Sequence, residues 1–283
     1  KFLFCIGLLL TVATIVNAQS VTWISSTEGN VWQKSKVKLQ SKSEQNPVLQ
    51  VDGTENGVAF KNWGTTFNEL CWDALGLLTR TEQDEILYNI FSPQGDLRIT
   101  RGRISMGAND YARSWYSCDE VEGDFELRYF NINRDKQTII PFIRAAQKYN
   151  PNLTFWISPW CPPSWMKING DYPVLSSPFN SLSEKQNYLL YGATGGQVDE
   201  NEMKLTDARD GVFPRQLATT DFMIQDPRYL QTYADYFCRF IDAYKEQGIP
   251  IDMVMYQNEA YSYTPYPGCA WTATGTIRFN KEY

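Results

Sequence analysis

Histidine is absent from the 283 residues. That excludes Ser-His-Asp and Cys-His triads, histidine-ligated zinc and histidine general bases, and leaves any proton chemistry to carboxylates, Tyr, Lys or Cys. Positive charge is scarce as well: 26 Lys and Arg face 32 Asp and Glu, a net charge of −6 with no basic cluster. A phosphate backbone or an anionic membrane is a poor partner for such a chain, so nucleic acid is not expected. The 6 cysteines are irregularly spaced and include no C-x-x-C, which argues against a disulfide scaffold and a thiolate metal site. A phosphate-cradling loop is missing too, because Gly192-Ala193-Thr194-Gly195-Gly196 has neither the spacing nor the Lys-Ser/Thr of a P-loop.

Rings, by contrast, are plentiful: 14% of residues are aromatic and 43% hydrophobic, enough to bury a core. The length suits either two domains of ~150 residues or one α/β barrel of ~250.

Residues 1–18, KFLFCIGLLLTVATIVNA, carry one positive charge, an apolar run and small residues before Ala18. The pattern predicts a signal peptide cleaved after Ala18, with export to the periplasm or the cell exterior. The run is short of the ~20 residues that span a bilayer, so no stable membrane span is expected after cleavage. Five cysteines would remain (Cys71, Cys118, Cys161, Cys238, Cys269), and the sequence does not choose a bridge among them.

Residues 19–57 predict N-terminal β-strands of a side domain, from alternating stretches such as Val37-Lys38-Leu39-Gln40 and Val48-Leu49-Gln50-Val51. From residue 58 onward the pattern alternates strand and helix. Thr79 and Glu82 form a capping box before Ile86, Leu87, Ile90 and Phe91 at helical spacing. Leu97 to Met106 predicts a strand ending at Gly107. Thr138 to Tyr149 predicts a helix, and Leu153 to Ser158 a buried strand. Asp226-Pro227 opens the clearest helix, which runs to Gly248 and delivers the strand Ile251 to Tyr256. Alternation of this kind implies parallel βα units. The chemistry-bearing residues cluster just after strands, as on the C-terminal face of a (β/α)8 TIM barrel, so that α/β fold is preferred to a doubly wound sheet.

Four segments carry candidate chemistry. Glu259 follows a strand, with Asn258 before it and Tyr261, Tyr263 and Tyr266 after it; a carboxyl partly desolvated among rings has a raised pKa and suits a general acid. Ser158-Pro159-Trp160-Cys161-Pro162-Pro163-Ser164-Trp165 presents two tryptophans on a proline-stiffened loop, which reads as a sugar platform or as core. Gly64-Thr65-Thr66-Phe67-Asn68-Glu69 places a carboxylate that reads as a hydroxyl acceptor or a helix-start cap, and the cap is favoured. In Arg103-Ile104-Ser105-Met106-Gly107-Ala108-Asn109-Asp110, Arg103 could orient carboxylates in a barrel mouth with Asp110 as its anchor, or the two could form a structural salt bridge.

Together these segments, with Tyr266-Pro267 following, resemble glycoside hydrolase family 30, the group that includes glucosylceramidases and endo-β-1,6-glucanases. The resemblance runs in the family's order over residues 58–283. It implies a retaining β-glycosidase without metal or organic cofactor, acting on a β-glucoside or β-1,6-glucan. Glu259 would be the acid/base, Asn258 would hold the sugar 2-hydroxyl, and Glu69, Trp160 and Tyr266 would line the glycone site. A second carboxylate about 5–5.5 Å away would be the nucleophile, at the end of the seventh strand. Since about four strands precede Glu259, residues 58–283 read as the first half of the barrel, inactive alone, with the nucleophile beyond Tyr283. Glu282 reads as helical and does not fit that role. Two departures stand out: Asn62-Trp63-Gly64 replaces the family's Gly-Phe-Gly, and Asn258-Glu259-Ala260 replaces Asn-Glu-Pro. A non-catalytic carbohydrate-binding barrel is the alternative. A Lys-dependent aldolase would have to use Lys167, in a loop.

Overall fold

The computed structural model describes residues 20–38, 57, 62–182, 221–260 and 262–283. The predicted signal peptide, the stretch from Val48 to Val51 and the segment from Gly192 to Gly196 lie outside them. The chain divides into two units, Lys1–Ala59 and Phe60–Tyr283. In the first, β1 (Ser20–Thr27) and β2 (Asn30–Lys38) form an antiparallel hairpin in which Val21 faces Val37 and Trp23 faces Ser35. Gly29 makes the tight turn at φ 79°, a conformation glycine enters without a Cβ penalty.

The second unit is built on four strands: β3 (Gly64–Phe67), β4 (Arg101–Ser105), β5 (Thr154–Ser158) and β6 (Ile251–Val254). They pair in sequence order, every pair parallel. Helices follow each strand: α1 (Glu69–Gly76) and α2 (Arg80–Phe91), then α3 (Ile139–Gln147), α4 (Pro227–Glu246) and α5 (Ala273–Glu282). Parallel strands need such crossovers, and these put all strand C-termini on one side.

Local signals explain most of the boundaries. The Thr79 hydroxyl accepts from the Glu82 amide at 3.4 Å, and the Glu82 carboxylate accepts from the Thr79 amide at 2.8 Å, closing the capping box of α2. Asp226 caps α4 by accepting from Arg228 N at 2.8 Å. The strand predicted from Leu97 begins only at Arg101. Arg98 sits at φ 52°, and the amides of Leu97 and Ile99 bond back to Asn89 and Ile90 at the end of α2, so this stretch closes the helix rather than joining the sheet.

Strand alternation sorts the side chains onto two faces. Phe67, Ile104, Phe155 and Ile157 are wholly buried in one core with Ile143 of α3. Phe67 meets Phe142 edge-on at 4.7 Å. Gly102 lies on this face because a Cβ there would fall 2.5 Å from the Phe67 ring and 2.8 Å from Phe155. On the opposite face Thr66, Arg103, Trp156 and Met253 share one register row across all four strands. This inner row lies just below the strand ends where the candidate residues gather.

Candidate active site

The strand-end residues of β4, β5 and β6 converge through Arg103. Its Nη2 donates to Asn258 Oδ1 at 2.6 Å and to Ser158 Oγ at 3.2 Å. The guanidinium carbon lies 4.1 Å from the Trp160 ring centroid and 5.1 Å from that of Trp156, within cation–π range of both. Its Nε is buried with no partner among the described residues. Asn258 is fixed from its backbone as well, since its amide donates to Pro159 O at 2.8 Å. Gln257 reinforces the junction: Nε2 donates to Trp160 O at 2.6 Å, and Oε1 accepts from Trp271 Nε1 at 3.2 Å. With Oδ1 occupied by Arg103, the amide nitrogen of Asn258 is the end left to act as donor.

Glu259 adopts φ 46°, unusual for a residue with a side chain, and its carbonyl accepts from Ser262 N at 2.8 Å. It lines a narrow crevice with Asn258, Trp160, Tyr266 and Gly268. Asp110 stands at the rim. Partial burial, reinforced by the negative charge of Glu259, pushes its carboxyl up from the ordinary Asp range, against the pull of Arg103. Burial likewise raises the Tyr266 phenol, helped by Glu259 and Asp110. Burial lowers Arg103, and those same two carboxylates oppose the shift. One cation thus sits in the field of two carboxylates, with aromatic faces beside it.

Of the predicted site residues, Asn258, Glu259, Trp160, Tyr266, Arg103 and Asp110 come together. The hydrogen bonds of Arg103 go to neutral partners, and Asp110 acts on it through space. Glu259 is exposed. The strand leading to it, β6, is the edge of the described sheet, and Met253, Val254 and Met255 are exposed with it.

Two residues do not join the group. Glu69 is fully buried as the first residue of α1, which Asn68 caps by accepting from Cys71 N at 2.9 Å. Both of its carboxylate oxygens are occupied: Arg134 donates to Oε1 at 2.8 Å and to Oε2 at 2.6 Å, and the Arg113 amide to Oε2 at 2.8 Å. It anchors the loop after β4 and offers no oxygen to a substrate. Trp165 is buried with its indole N–H on Asp119 O at 3.1 Å and its ring edge-on to Phe125 at 5.4 Å. Its ring belongs to the core under the Pro-rich loop. Lys167 is also committed, its ammonium donating to the carbonyls of Asp171, Tyr172 and Pro173. All five described cysteines are free thiols, and among the described residues no three His, Cys, Asp or Glu groups gather to hold a metal ion. Trp156, outside the four motif segments, joins the group because period-two alternation puts it on the Arg103 face.

Carboxylates and amides thus stand beside Trp and Tyr faces at the C-terminal ends of parallel strands, the side on which barrel enzymes carry their active sites. Residues 60–177 match the glycosyl hydrolase family 30 TIM-barrel domain. The match covers less than half of the chain, and the parallel βα units agree with part of such a barrel. A Caenorhabditis elegans protein named "Putative glucosylceramidase 4" is 27% identical over 87% of this chain and 39% of its own length. An Aspergillus fumigatus endo-1,6-β-D-glucanase is 26% identical over 80% of this chain and 40% of its own. The chain therefore spans about 40% of these curated relatives. Among solved structures, SrfJ from Salmonella typhimurium superposes with a TM-score of 0.60 at 18% identity, covering 92% of this chain and 48% of that one. An endo-β1,6-glucanase does so with a TM-score of 0.55 at 23% identity, covering 80% of this chain and 40% of that one. At these identities the likeness is one of fold.

Proposed function

We propose that the protein to which this chain belongs is a secreted retaining β-glycosidase acting on β-glucosides or β-1,6-glucan. Glu259 protonates the glycosidic oxygen as its bond to the anomeric carbon breaks, while a carboxylate supplied beyond Tyr283 attacks that carbon and forms a glycosyl-enzyme. Glu259 then takes a proton from the water that releases the sugar. Asn258 donates to the 2-hydroxyl, Trp160 and Tyr266 flank the ring, and Asp110 accepts from a further hydroxyl. The convergence of Arg103, Asn258, Glu259, Trp160 and Tyr266 from three strand ends carries this reading. The relatives named as glucosylceramidase and endo-1,6-glucanase support the substrate class. Export rests on the pattern of residues 1–18.

Glu259→Gln in the whole protein is expected to lower hydrolysis of an unactivated glucan by about 10²- to 10⁴-fold while sugar binding persists. Unchanged turnover would remove Glu259 from the acid/base role. The alternative is a barrel that binds carbohydrate without cleaving it. Binding with no hydrolysis of any β-glucoside by the wild-type protein would select it.

A further inference from the structure

Three strand-end loops meet at Tyr172. Its hydroxyl donates to Glu120 Oε2 at 2.7 Å, and its ring lies 6.3 Å from Trp115, centroid to centroid, at 51°. Trp115 and Glu120 belong to the loop after β4, and Tyr172 to the loop after β5. The Tyr172 carbonyl accepts from Gly268 N at 3.1 Å, and Pro173 bridges Pro267, so the pair is tied to the β6 loop beside Tyr266 and the Glu259 crevice.

The platform is rigid. Glu120 also accepts from Ser117 Oγ at 2.5 Å, from Ser164 N at 3.0 Å and from the Ser164 hydroxyl. Beneath it, Lys167 Nζ holds the carbonyls of residues 171, 172 and 173 at 2.6, 2.7 and 3.0 Å, and Asn169 Nδ2 donates to Pro173 O at 2.8 Å. An ammonium is costly to bury unless fully bonded, so this loop has one favoured conformation. Trp115 and Tyr172 are nevertheless only half-buried, which leaves part of each ring to solvent. Rings held in place before a ligand arrives lose little freedom on binding it. The rim carries Glu120, Ser117 and Ser164. Although bonded to one another, these groups keep the rim beside the rings polar, which suits the hydroxyls and C–H face of a sugar better than an alkyl chain.

We propose that Trp115 and Tyr172 form a second saccharide subsite next to the Glu259 crevice, so that the ligand is an oligosaccharide of at least two units rather than a glycoside of an alkyl lipid. The proposal rests on the glycosidase reading above. Its test is calorimetric binding of glucose and β-1,6-linked gluco-oligomers of two, three and four units to the whole protein carrying Glu259→Gln. Affinity is expected to rise along the series. Adding Trp115→Ala should remove that rise, weakening the longest oligomer roughly tenfold without altering glucose binding, and Trp115→Phe should restore most of it. A flat series, or a series unaffected by Trp115→Ala, overturns the subsite. If the wild-type protein still hydrolyses an aryl β-glucoside in that case, only the subsite fails. If no sugar binds and no glycoside is cleaved, both readings fail together.

Discussion

Arg103 donates to the side-chain carbonyl of Asn258 at 2.6 Å, joining two residues 155 positions apart in sequence. The bond decides which way the amide beside Glu259 points, since a guanidinium has donors only. Arg103→Met should therefore let that amide turn. A hydrogen bond to a charged group is worth about 1.5–3 kcal/mol, so kcat/KM should fall roughly 10- to 150-fold. Arg103→Lys should recover part of the loss. Steady-state kinetics of the whole protein on an aryl β-glucoside checks this, and an unchanged kcat/KM in Arg103→Met would refute it.

Glu69 and Arg134 form a pair that is buried on the Glu69 side only. Removing Arg134 strands a buried carboxylate. Arg134→Met should cost about 3 kcal/mol in urea unfolding, the low end for a buried pair because Arg134 is itself partly exposed. The KM of the whole protein should not move. A raised KM with stability intact would return Glu69 to the binding site. Burial pushes the Glu69 pKa up, but the bonds from Arg134 and the Arg113 amide outweigh it, so the folded value is depressed. Its contribution is full above the ordinary Glu value of ~4.3 and disappears as the pH falls below that.

Asp135 gives the opposite slope. It is fully buried and accepts from Tyr116 OH at 2.7 Å and Tyr244 OH at 2.6 Å, yet burial raises its pKa to about 6. The proton is held more tightly in the folded state than in the unfolded one. The associated stability is full below the unfolded value of ~3.9 and is lost as the pH rises through about 6. Asp135→Asn carries no such penalty at neutral pH. Urea midpoints of wild type and variant, measured from pH 4 to 7, should shift in favour of the variant as the pH rises and run parallel above about 6. Parallel midpoints throughout the range would contradict the assignment.

Gly102→Ala tests the barrel wall. The added Cβ would meet the Phe67 and Phe155 rings at 2.5 and 2.8 Å. Overpacking of this kind costs about 1–3 kcal/mol, with the rings displaced from β3 and β5. Denaturant unfolding and near-ultraviolet circular dichroism should both report it, and wild-type values for both would show that the wall yields without strain.

Features that rest on neighbours along the chain are legible in the residues alone. Thr79 and Glu82 start α2, Asp226 and Pro227 start α4, and alternation after residue 97 announces β4. The motifs at residues 103–110, 158–165 and 257–259 point to the family and to most of the candidate site. Which members of a motif reach the candidate site depends on packing between distant elements. Trp160 and Trp165 stand five positions apart on one loop, but the first lies over Arg103 while the second is buried against Phe125. Glu69 is drawn from the site by Arg134, 65 residues away, and Arg103 finds Asn258 only once β4, β5 and β6 align. Caps and alternation are settled within a few residues by backbone geometry and local hydrogen bonds, so they are written in the chain. The partner of a buried charge is chosen by packing between distant elements, and no local pattern records it.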